Sequence, residues 1–64
     1  MRETEFWRRL SALSMVTHPR LWAETTVLSS LGGRTPTEAL ESGVPCQRVW
    51  QNVCDYLEIP FAQR

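Results

Sequence analysis

Between Cys46 and Leu57 the apolar residues Cys46, Val49, Trp50, Val53, Cys54 and Leu57 recur at i, i+3, i+4, i+7, i+8 and i+11. That spacing is a complete amphipathic-helix template, with Gln47, Arg48, Gln51, Asn52 and Asp55 on the opposite face. In a chain of 64 residues it constrains nearly everything else. A helix with one apolar stripe must bury it against other stripes, and a chain this short has room for one core. Such cores leave about 3–5 kcal/mol of net stability, so large apolar side chains are needed for packing first. Trp7, Trp22 and Trp50, with Phe6, Phe61 and Tyr56, supply rings that can each bury on the order of 150–250 Å².

The remaining signals are also helical, and no segment alternates apolar with polar residues for long enough to predict a strand. Thr4 is expected to cap a first helix carrying Phe6, Trp7, Leu10 and Leu13 on one stripe, with Glu5 in its first turn and an end between Ser14 and Val16. Thr17 or His18 then caps a second helix opened by Pro19, whose missing N–H costs nothing there. Its inward residues are Leu21, Leu28 and Leu31, with Trp22 and Val27 at the flanks, and Gly32 and Gly33 end it. "TPTE" predicts a capping box, Thr35 at the cap, Pro36 at the first helical position and Glu38 three residues past the cap. A short third helix runs from there to about Ser42 and stops at Gly43; Pro45 opens the fourth. Pro60 bars its continuation and leaves a tail from about residue 60, whose Phe61 is expected to fold back on the core. The expectation is one all-α domain over residues 1–64, a small helical bundle of three longer helices and one short one. Its core comprises Phe6, Trp7, Leu10, Leu28, Leu31, Leu40, Val49, Trp50, Val53, Cys54 and Leu57.

The stretch "TPTEALESGVPCQRVW", Thr35 to Trp50, has the outline of a helix-turn-helix: Ala39, Gly43, Val44, Val49 and Val53 fit its register. Glu38, Ser42 and Asn52 stand where DNA-reading versions are apolar. Glutamine, asparagine and arginine on the fourth helix can read base edges, but from Thr35 to Arg64 two arginines face four acids. Phosphate contacts supply most non-specific affinity, so this charge argues for a helical hairpin that closes the bundle. Seven arginines balance seven acids over the whole chain, and lysine is absent. No net field draws the protein to nucleic acid or to a membrane.

Catalysis and metal binding find little to stand on. Cys46 lies in a first helical turn near Arg48, where a thiolate is favoured, but His18 is the only histidine and no nucleophile–base set can be assembled. Cys46 and Cys54, eight apart on one helix, stand roughly 12 Å from each other, too far for a disulfide or a shared ion. Cys54 reads as a core residue and both thiols as reduced. "GGR" at Gly32 to Arg34 is explained by a helix stop and a capped restart, without a phosphate loop. Arg8 and Arg9 read as the solvated edge of the first stripe. No leader pattern and no apolar run approaching the roughly 20 residues of a spanning helix is present, which predicts a soluble cytoplasmic protein.

Several motifs together carry a resemblance over nearly the whole chain: "TEFW" at Thr4 to Trp7, "VLSSLGGRT" at Val27 to Thr35, and "EAL" followed by Gly43. To these are added "VW" with Cys54 four residues on from Trp50, and then Pro60. On them the chain resembles a family of about sixty-residue actinobacterial proteins catalogued as a domain of unknown function. The match is poorest between Ser14 and Leu21. What the resemblance implies is a helical, soluble cytoplasmic protein and, in some genomes, a gene close to that of the recombinase and its regulator. It brings no activity with it.

The functional expectation is therefore a protein-interaction module, without catalysis, cofactor or metal, binding a protein partner that the sequence does not name. The alternative is a helix-turn-helix-like nucleic-acid accessory linked to recombination or repair. The exposed groups on the best-defined helix, Gln47, Arg48, Gln51 and Asn52 with nearby Arg34, are the candidate surface.

Overall fold

Four helices carry the architecture: α1 (Glu3–Ser11), α2 (Pro19–Thr25), α3 (Pro36–Glu41) and α4 (Cys46–Tyr56). Short 3-10 turns lie at Ser29–Leu31 and Phe61–Gln63, and the computed structural model describes residues 1–64. The helices pack in a ring, α1 on α2, α2 on α3, α3 on α4 and α4 back on α1. There is no strand; a single antiparallel bridge joins Leu28 to Arg34. The chain is all-α, as its periodicity implies.

α4 behaves as its stripe predicts. Val49, Trp50, Val53 and Cys54 are buried, and they meet Phe6 and Leu10 from α1 in the centre of the core. Trp7, Leu13, Trp22, Leu31, Leu40, Val44 and Leu57 pack half-buried around them. Phe6 stands edge-on to both Trp7 and Trp50, with centroids 5.1 and 5.9 Å apart, a geometry that the ring quadrupoles favour. The indole Nε1 of Trp50 is buried without a hydrogen-bond partner, so that side chain is held by packing alone.

Two helix ends are closed in the same way. Beyond α3, Gly43 takes a left-handed φ of 94°, Val44 N–H donates to the Ala39 carbonyl and Gly43 N–H to that of Leu40. Beyond α4, Ile59 N–H donates to Cys54 and Glu58 N–H to Asp55, with Glu58 at φ 57°. Both are Schellman closures, in which the residue after the left-handed one is apolar and turns inward. Ile59 is accordingly buried, a core position that the sequence pattern missed together with Val16, Ala23 and Ala39. The capping box is present in full: Thr35 Oγ1 accepts from Glu38 N–H at 3.1 Å, and Glu38 Oε1 accepts from Thr35 N–H at 2.9 Å.

Several expectations are corrected. α1 begins at Glu3 with Arg2 as its N-cap and no side-chain cap, so Thr4 lies within the first turn, where Glu3 and Glu5 are favoured by the positive end of the dipole. It ends at Ser11, whose Oγ donates to the Trp7 carbonyl, and not between Ser14 and Val16. α2 ends at Thr25 instead of running to Leu31, because the β-branched run Thr25, Thr26 and Val27 is stiff in a helix. Thr26 turns extended, and the Leu28–Arg34 bridge takes over. Phe61 does not fold back: it is 86% exposed, while Ile59 fills the place expected for it.

Candidate functional site

Arg34 is exposed and held at the end of α3, its Nη1 donating to Ser42 Oγ at 3.1 Å. Gln47, Arg48 and Gln51 are exposed on α4, and their side chains form no hydrogen bond or ion pair within the chain. Asn52 is half-buried, and its Nδ2 donates to the Arg48 carbonyl at 2.7 Å. That bond occupies the amide with its own helix. Gln47, Arg48 and Gln51 thus form one polar face, Asn52 beside them is bonded back to its own helix, and Arg34 belongs to a separate contact with Ser42.

A different surface has the more unusual chemistry. The break after Thr25 turns Leu21 outward, and it is 57% exposed where the continuous-helix pattern had it inward. Ala23, about 200° around the helix from it, faces the core instead. Leu21 and Trp22 from α2, with Met15, Val16, Thr17 and His18 from the preceding turn and Thr25 beyond, line an open cleft of about 250 Å³. Val16 is buried, whereas Met15 is 60% exposed. Tyr56, at the end of α4, extends the same surface: its ring lies 6.2 Å from that of Trp22 and is itself more than half exposed. Contiguous exposed apolar side chains of this kind mark contact sites more often than lone ones do. The sequence signal for this surface was the β-branched run that ends α2.

Electrostatics around the molecule are local. Arg8 and Arg9 both bond the Glu5 carboxylate, at 2.9 and 3.2 Å. Those two hydrogen bonds, Arg8's the larger, hold its pKa below the usual carboxylate value. Arg20 places its guanidinium 4.1 Å from the Trp7 ring centroid and so ties α2 to α1. Cys46 and Cys54 are both free thiols; burial pushes the Cys54 thiol up. No group of three or more His, Cys, Asp or Glu side chains is placed to hold a metal ion. No helix is long and apolar enough to cross a membrane.

These features define a small all-α domain with an open apolar cleft at the α1–α2 turn. The family described as protein of unknown function (DUF3046) matches residues 1–62, and the chain belongs to that family. No curated protein and no solved structure matches the chain.

Proposed function

We propose that the protein is a small interaction module that binds another polypeptide through the cleft at Met15, Leu21 and Trp22, with Tyr56 at its edge, and carries out no chemistry of its own. One observation carries the reading: Leu21 stands 57% exposed beside Trp22 and Tyr56 in a chain that needs its large apolar residues for packing. Aromatic side chains with one apolar and one polar end are the usual anchors of such contacts. The cleft, at about 250 Å³, is below the roughly 300–1,000 Å³ typical of small-molecule pockets. It suits an inserted side chain. The cytoplasm is the proposed setting. The polar face of Gln47, Arg48 and Gln51 is where the nucleic-acid alternative would act.

A photo-crosslinking amino acid at Leu21, and separately at Gln51, tests the reading in living cells. The expected result is a polypeptide adduct from position 21 that survives nuclease. Adducts from position 51 alone, or adducts lost on nuclease treatment, would overturn it.

A further inference from the structure

Phe61 is the most exposed large apolar side chain of the protein at 86%, and the cleft is its only marked apolar hollow. We propose that the cleft takes the Phe61 ring of a second copy of this chain, and that the exchange is reciprocal about a two-fold axis. The inference rests on the reading of the cleft as a contact surface and names its occupant.

The knob is built rigidly. Pro60 and the 3-10 turn Phe61–Gln63 direct the ring outward while Ile59 anchors the segment in the core. Arg64 covers one face of the ring, its guanidinium 4.3 Å from the centroid. Arg64 is in turn held by the Asp55 carboxylate at 2.9 Å and the Ile59 carbonyl at 2.8 Å, which leaves its side chain 14% exposed. A pre-ordered aromatic loses little freedom on insertion.

Knob and hollow are joined by a short chain of contacts: Phe61 to Arg64, Arg64 to Asp55, and then Tyr56, the next residue, to Trp22. Both features therefore border the end of α4, reached from successive residues about 100° apart around the helix, and the proposed two-fold axis lies between them. Such an isologous contact closes at two chains and leaves no open end.

Charge agrees with a copy as the occupant. Seven arginines and seven acids leave no net field to oppose association. No carboxylate lines the cleft, which offers His18; just beyond it on α2, Arg20 lies over the Trp7 ring and Glu24 precedes Thr25. Beside the knob, Glu58 is exposed and forms no ion pair within its own chain. It also occupies a left-handed conformation that glycine would adopt with less strain. Its carboxylate can meet the His18 edge of the second copy's cleft.

Sedimentation equilibrium from about 10 µM to about 1 mM on the full chain, Phe61→Ser, Leu21→Glu and an equal mixture of the two variants tests this. Both altered residues are exposed, and circular dichroism with thermal melting verifies folding. The expected result is a dimer that each substitution weakens by roughly tenfold or more. The mixture should associate more strongly than either variant alone, since one knob and one cleft remain intact in the mixed pair. A chain that stays monomeric, a Phe61→Ser protein that dimerises unchanged, or a mixture with no recovery would overturn the proposal. An adduct between position 21 and a different polypeptide would then leave the interaction reading standing, whereas no adduct would remove both.

Discussion

The Phe6 ring meets the Trp50 indole edge to face, 5.9 Å between centroids and 86° between planes, and this contact joins the first helix to the last. Both rings are buried among Leu10, Val49, Val53 and Cys54. Replacing Trp50 with alanine is expected to cost roughly 3–5 kcal/mol. That equals the margin of about 3–5 kcal/mol that a chain of this size has. Circular dichroism at 25 °C should find little folded protein. A cooperative urea transition shifted only slightly would show that the contact does not hold the fold.

The two thiols should separate cleanly. Cys54 is fully buried and its thiol is pushed up by desolvation, whereas Cys46 is partly accessible in the first turn of α4. A thiol reagent followed by mass spectrometry is expected to label Cys46 in the native state and to reach Cys54 only as fast as the protein opens. Equal rapid labelling would contradict the packing of α4.

Glu58 sits at φ 57° in the closure of α4. Glu58→Gly is expected to stabilise the monomer by about 0.5–1 kcal/mol, seen as a higher urea midpoint at unchanged slope. The same change should weaken self-association, because the carboxylate beside Phe61 is lost. Destabilisation would show that the side chain supports the fold.

Hydrogen bonds from Arg8 and then Arg9 lower the Glu5 pKa, so Glu5 favours the folded state when ionised. That contribution is present at neutral pH and above the unfolded carboxylate value of about 4.3, and is lost as pH falls through the lower folded value. Glu5→Gln should therefore lie slightly below the parent in stability at pH 7 and converge with it in acid. The gap should shrink in salt, since the pair is on the surface. Curves that stay parallel down to strongly acid pH would contradict the assignment.

The parts of the fold legible in the sequence are those fixed within a few residues. Thr35 and Glu38 cap each other across one turn, Gly43 supplies its own left-handed stop, and the α4 stripe needs only helical periodicity. Leu21 was not legible in this way. Its inward placement assumed one unbroken helix in phase with Leu28 and Leu31. The break at Thr26 resets that phase, so that Leu28 is buried and Leu21 is exposed. Ile59 likewise depends on the closure at Glu58, which carries no glycine to announce it. The polar face of Gln47, Arg48 and Gln51 was readable because exposed helix positions follow from the stripe itself. The cleft needs the turn at Met15 to Pro19 and the α2 break together, and neither has a periodic signature.

The central claim is that a second copy of the chain is contacted through the apolar cleft and not through the polar face of α4. Amide chemical shifts recorded by NMR as the protein is concentrated test it most directly. The account predicts concentration-dependent shifts grouped at Met15 to Thr25 and at Tyr56 to Gln63, with Gln47, Arg48 and Gln51 unmoved. Shifts centred on Gln47, Arg48 and Gln51, or spectra that do not change with concentration, would contradict it.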